Sequence, residues 1–178
     1  CPKRDLEGLK VLVTAGPTQE SLDPVRYLTN HSSGKMGYAL ARMAAFRGAQ
    51  VTLVSGPTSL QPPLNVEVVP ITSAADMYRE VTARAEQADF IFKAAAVADY
   101  TPKVTASQKI KKHEEGLNIE LVKTKDILST LGHQRREGQL ITGFALETEN
   151  ELENAKGKLQ NKNIDIIVLN SMNNPKAG

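Results

Sequence analysis

A doubly wound, mostly parallel α/β sheet with helices on both faces is predicted by three features of this chain. Short, nearly continuous apolar runs recur along it, as expected of strands buried on both sides. Segments with apolar residues at helical spacing stand between them, several marked by capping residues. Strands and helices alternate at the spacing of right-handed crossovers. At 178 residues the chain is read as one domain over 9–178, with 1–8 a linker from an upstream domain. A C-terminal continuation beyond residue 178 is expected.

The first strand is expected over 9–15. A helix follows over 35–47, with Met36, Leu40, Met43 and Ala44 on one side and Gly48 closing it. Strands are expected over 51–54 and 66–69. Ser73 and Asp76 form a capping box for a helix to about residue 87. The strand over 90–92 runs into a small-residue segment ending at Asp99. Residues 101–116 are polar and lysine-rich, with nothing to pack. The alternation of 117–122 predicts a half-exposed strand. Then come a helix over 126–136, a strand over 140–144, a Thr148–Glu151 capping box for a helix to about 161, and a last buried strand over 164–169. Ligands of such sheets bind beyond the carboxyl ends of the strands. The loops after Ala15, Ser55, Lys93, Phe144 and Leu169 should therefore share one edge.

Composition narrows the function classes. A formal charge of +2 gives no bulk field for nucleic acid or a membrane surface. Trp is absent, so platforms for stacking single-stranded nucleic acid are scarce. A single cysteine, Cys1, excludes an internal disulfide framework and fits a reducing, cytoplasmic setting. No apolar run approaches the ~20 residues of a membrane span.

Several segments could carry chemistry. Ser33-Gly34-Lys35-Met36-Gly37 opens a helix after the first strand. It reads either as an anion cradle or as a Ser N-cap with glycines for close packing. Neither G-x-G-x-x-G nor G-x-x-x-x-G-K-[ST] is present. Lys109, Lys111 and Lys112 lie in the lysine-rich segment, as a solvated charge run or as a lid that folds over a polyphosphate. Asp99 sits just past a central strand, where a carboxylate could hold Mg²⁺ or bond a ligand hydroxyl, or simply cap a turn. Lys158 and Lys162 share one helix face. His31, His113 and His133 have no zinc spacing.

Five stretches occur together: 11–18 (VLVTAGPT), 23–37 (DPVRYLTNHSSGKMG), 95–100 (AAVADY), 109–112 (KIKK) and 143–148 (GFALET). In this order they resemble the phosphopantothenoylcysteine synthetase family, the Rossmann-like ligase domain of a bacterial bifunctional coenzyme A biosynthesis protein. The resemblance implies that 4′-phosphopantothenate reacts with CTP and Mg²⁺ to an acyl-cytidylate, releasing pyrophosphate. Cysteine's amine then displaces CMP. It implies that Asn30 contacts the pantothenoyl part and steadies the acyl-cytidylate. Ser33, Gly34, Lys35, Met36 and Gly37 would serve the phosphate region. Lys93, Ala94, Ala95, Asp99, Lys109, Lys125, Asp126, Ile127, Leu128, Phe144, Lys158 and Lys162 match CTP-binding positions. Lys109 would stabilise charge from a closing lid. A homodimer and an upstream flavin-dependent decarboxylase domain are also implied. Lys125 stands where the family commonly has Pro, which keeps ATP open as the nucleotide. An NAD(P)-dependent oxidoreductase and a non-catalytic nucleotide-binding module are the alternatives.

Overall fold

The computed structural model describes residues 3–111, 116–147 and 151–171. Its main sheet has six strands: β1 (Lys10–Ala15), β4 (Gln50–Ser55), β5 (Val66–Pro70), β6 (Phe90–Lys93), β9 (Leu140–Glu147) and β10 (Ile166–Ser171). Their order across the sheet is β10-β9-β6-β1-β4-β5, and every neighbouring pair is parallel. Chain order thus reverses direction between β1 and β6. A topological switch point of this kind opens a crevice at the carboxyl ends of the strands.

The strands are apolar because both faces are covered. Leu12, Ile91 and Ile141 point to the face of helices α2 (Ala74–Ala85), α3 (Ile127–Gln134) and α4 (Glu151–Asn161), where Met77, Val81 and Leu131 are buried. Val11, Val13, Val51 and Leu53 point to the other face and meet Ala41 and Ala44 of α1 (Lys35–Phe46). The doubly wound architecture is as predicted. The capping box at Ser73 and Asp76 is formed, with both reciprocal bonds present. Among the described residues no helix is long and apolar enough to cross a membrane.

The differences from expectation have local causes. The alternating segment 117–122 forms only a three-residue strand, β8 (Leu121–Lys123), exposed throughout. It pairs antiparallel with β7 (Tyr100–Pro102) and has no core to meet. A second small ribbon, β2 (Gln19–Ser21) with β3 (Tyr27–Thr29), was not foreseen. β9 runs to Glu147 and β10 to Ser171, beyond the expected ends, while β10 starts only at Ile166. Helix α2 stops at Ala85 and α3 at Gln134. Thr148 of the second capping box lies outside the described residues. Within the stretch expected as linker, Leu6 packs against the α1-side core and Asp5 pairs with Arg47 at 2.6 Å.

Gly37 lets α1 lie directly on β1. A Cβ there would meet the Ala15 Cβ at 2.5 Å and the Thr14 carbonyl at 2.7 Å. Gly37→Ala should therefore cost about 1–3 kcal/mol through overpacking. Chemical denaturation would read this as a lower midpoint at unchanged m-value; an unchanged midpoint would refute it.

Candidate active site

The loops after β1 and β6 are joined at the switch point. The Ala96 N–H donates to the Gly16 carbonyl at 3.0 Å, and the Thr18 N–H donates to the Ala96 carbonyl at 3.2 Å. Two fully buried threonines finish the joint. Thr14 Oγ1 accepts from the Ala95 N–H and Thr18 Oγ1 from the Ala98 N–H, each at 3.0 Å. Sequence reasoning missed both. Their signal was a hydroxyl at the carboxyl end of an otherwise apolar strand and another just after it, where hydroxyls serve loops rather than cores.

Asn30 follows β3, and its Nδ2 donates to the Ala96 carbonyl at 3.1 Å. The Thr29 hydroxyl donates to the Thr18 carbonyl at 2.8 Å. The phosphate-loop candidate comes next. Its N-cap is Gly34, not a serine: φ is 76°, and no side chain caps the helix. The Ser32 and Ser33 hydroxyls make only long 3.4 Å contacts, with the N–H groups of Gly34 and Lys35. The head of α1 thus keeps first-turn N–H groups without a side-chain cap, a setting suited to an anion. Both Gly34 and Gly16 are pressed by the Thr58 methyl, which a Cβ would meet at 2.8 and 2.9 Å. Lys35 and Met36 are exposed beside this turn.

On the α3 side of the crevice, charges gather. Lys93 ends β6 opposite Gly143. Burial is the main cause that brings its ammonium down to about 8, repulsion from Lys162 adds to this, and Asp126 and Asp99 pull the other way. Lys162 follows α4 and reaches Asp126 at 3.0 Å. Asp126 caps α3 by accepting from the Ser129 N–H at 2.9 Å. Burial opposes the charge of Asp126, but the Ser129 N–H, Lys162 and Lys93 outweigh it and lower its pKa. Asp99 is exposed at the rim. Lys93, Asp99, Asp126 and Lys162 are therefore brought together.

Other expected residues stand differently. Ile127 and Leu128 are core, 3% and 8% exposed, so they can meet a ligand only through backbone at the head of α3. The Lys125 ammonium lies 4.7 Å from the centre of the Tyr78 ring, turned toward α2. Phe144 is half-buried, and strand alternation places it on the sheet face opposite Gly143. Lys158 lies in the last turn of α4, its carbonyl accepting from the Lys162 N–H. Lys109 and Lys111 are exposed, and Lys112 lies outside the described residues. The segment expected to have nothing to pack is in fact bonded to the β2–β3 ribbon as far as Ile110.

Glu20, also missed, is 3% exposed and accepts from the Ala74 N–H at 2.7 Å, tying β2 to the head of α2. Among the described residues no three His, Cys, Asp or Glu side chains gather into a metal cage. A single rim carboxylate such as Asp99 instead suits Mg²⁺ held mainly by water and phosphate oxygens. The strand after α1 ends at Ser55, with no acidic residue to bind a ribose as a dinucleotide fold would require.

The sequence from residue 6 to residue 178 matches the family described as the DNA/pantothenate metabolism flavoprotein C-terminal domain. The chain belongs to that family. The chain is 48% identical over 174 residues to the coenzyme A biosynthesis bifunctional protein CoaBC of Bacillus subtilis, covering 97% of this chain and 43% of that protein. It is 46% identical over 177 residues to a cysteine/cysteine sulfinic acid decarboxylase of an unknown prokaryotic organism, covering 99% of this chain and 49% of that protein. The chain thus spans about half the length of the curated relatives it matches. A crystal structure of the CoaBC C-terminal domain superposes with a TM-score of 0.81 at 50% identity, over 92% of this chain and 77% of that one.

Proposed function

We propose that this domain is a phosphopantothenate–cysteine ligase that activates the carboxylate of 4′-phosphopantothenate with CTP. The observation that carries this reading is the convergence of Lys93, Lys162, Asp126 and Asp99 across the switch point from Asn30. Activation is an in-line attack by a carboxylate oxygen on the α-phosphorus. The oxygen–phosphorus bond forms as the bond to pyrophosphate breaks. Both partners are anions, so the step needs positive charge that is in place beforehand. Lys93 and Lys162 supply it from fixed positions, and Lys109 from the lysine segment. Mg²⁺, held through Asp99 and phosphate oxygens, would neutralise further phosphate charge when bound. In the second step the amine nitrogen of cysteine attacks the acyl carbon, CMP leaves, and the amine proton passes to solvent or a base.

A homodimer also has a surface to use. Tyr27, Leu28, Tyr100, Leu121 and Val122 of the two small ribbons are each more than a third exposed, an apolar excess typical of interfaces. The domain would act downstream of a decarboxylase domain in the same polypeptide.

The test is incubation of the natural full-length protein with Mg²⁺, 4′-phosphopantothenate and CTP or ATP, without cysteine, followed by mass spectrometry. An acyl-cytidylate is expected. An acyl-adenylate alone would keep the ligase and move the nucleotide preference. No acyl-nucleotide, in protein that binds nucleotide, would favour a non-catalytic module. Asn30→Asp replaces the donor to the Ala96 carbonyl by an oxygen that repels it. The variant should accumulate or leak acyl-cytidylate when cysteine is present. Normal product formation with no trapped intermediate would remove Asn30 from this role.

A further inference from the structure

Asp23 is a charged residue that the proposed chemistry does not use, yet it is 3% exposed. One of its oxygens has a local task. Oδ1 accepts from the N–H groups of Val25 and Arg26, each at 2.8 Å, the turn an Asp-Pro pair favours. The other oxygen reaches far along the chain. Oδ2 accepts from Arg26 Nε at 3.0 Å and from the Ile110 N–H at 3.0 Å. The same guanidinium donates to the Ile110 carbonyl at 2.8 Å. Both backbone polar groups of Ile110, the neighbour of Lys109, are therefore gripped by one ion pair.

Upstream contacts run in the same direction. The Ala106 N–H donates to the Leu22 carbonyl at 3.0 Å, and the Thr105 hydroxyl to the Ser21 carbonyl at 3.1 Å. Burial works against the charge of Asp23, but Arg26 and the N–H groups of Ile110, Val25 and Arg26 outweigh it. The carboxyl is held well below the usual carboxylate range. The grip is thus a permanent charge-assisted one.

We infer that Asp23 is a positioning residue: it latches the lysine-bearing strap to the ribbon that leads into Asn30, so that Lys109 is presented from a fixed root. The inference rests on the role given to Lys109 above. Its physical basis is that a long side chain can act at a defined point only if its backbone is fixed. The ribbon that carries the latch also delivers Asn30 to the Ala96 carbonyl. One carboxylate therefore sets the origin of two groups on which the chemistry depends.

Two variants test it. Asp23→Asn keeps an acceptor for the turn but loses the charge that holds Arg26 and Ile110. Ile110→Pro leaves the Asp23–Arg26 pair in place and removes the N–H that it holds, and it makes the bond after Lys109 resistant to trypsin. Limited trypsin digestion of the native protein reads the latch without any ligand: cleavage after Lys111, a site that both variants keep, should accelerate about tenfold or more in each. In the full-length protein, kcat for acyl-nucleotide formation should fall about 10- to 100-fold with a nearly unchanged nucleotide KM. Wild-type cleavage rates in folded variants would overturn the latch, and faster cleavage with wild-type kcat would overturn the positioning role. If Asp23→Asn does not fold, Ile110→Pro decides by the same readouts. If wild-type protein forms no acyl-nucleotide, the ligase reading falls, while the cleavage rates still decide the latch.

Discussion

Lys109→Ala should slow acyl-nucleotide formation about 10²–10³-fold, the usual loss when one preorganised charge stabiliser is removed. Binding of the nucleotide should weaken far less. Lys109 is exposed and stands apart from the Lys93–Lys162 cluster in the sequence, on a strap whose root is fixed at Ile110. Its ammonium is thus suited to meet charge that develops during attack rather than charge already present in the ground state. Single-turnover kinetics with direct nucleotide binding separates the two. Unchanged turnover would remove Lys109 from the mechanism. A loss confined to nucleotide affinity would make it an ordinary phosphate ligand.

Lys93→Met should move stability and function in opposite directions. The folded protein releases the Lys93 proton at about 8, against an ordinary value of 10.5. Below pH 8 folded and unfolded chains both hold that proton, and the fold bears the full cost of a buried charge. Between 8 and 10.5 the folded chain has lost the proton while the unfolded chain keeps it, so the cost is relieved as pH rises. The gap corresponds to roughly 3 kcal/mol at neutral pH. The Met variant should therefore show a higher urea midpoint at pH 7, with the advantage fading by about pH 10.5. Nucleotide affinity should fall about 10- to 100-fold, the cost of losing one charge-assisted bond. An unchanged midpoint at pH 7 would show that the amine is solvated, and unchanged affinity would take it out of the site. Such a trade is expected where a fold keeps an unfavourable group for function.

The central sheet was legible because burial on both faces writes itself as uninterrupted apolar runs. Val11–Ala15 and Leu53–Val54 could hardly be read otherwise. The β2–β3 ribbon was not legible, since Tyr27–Thr29 is exposed at every position, and the alternation of 117–122 pointed to β8 but not to its short length or its pairing with β7. With no core face, little in the pattern says which strand each will pair with. At the site, Lys93 and Asp99 were readable as the end of a central strand and its loop. The meeting of Lys162 with Asp126 was not. It requires the turn after α4 to lie directly against α3, which Gly132 permits: a Cβ there would stand 1.7 Å from the Lys162 carbonyl. The contact of the Lys125 ammonium with the Tyr78 ring was not legible either, since it depends on how α2 is placed beside the loop before α3.

The bond from Asn30 to the Ala96 carbonyl has a bearing on what a ligand encounters there. A carboxamide has a donating and an accepting end, and one of the two hydrogens of the donating end is committed to the protein's own backbone. Its orientation is thereby chosen by the hydrogen-bond network before any ligand arrives. What remains to greet an incoming molecule is the oxygen and the second N–H, one acceptor and one donor at set positions. The residue is uncharged and its two free groups point in fixed directions, so it selects a partner by the geometry of its hydrogen bonds rather than by its charge.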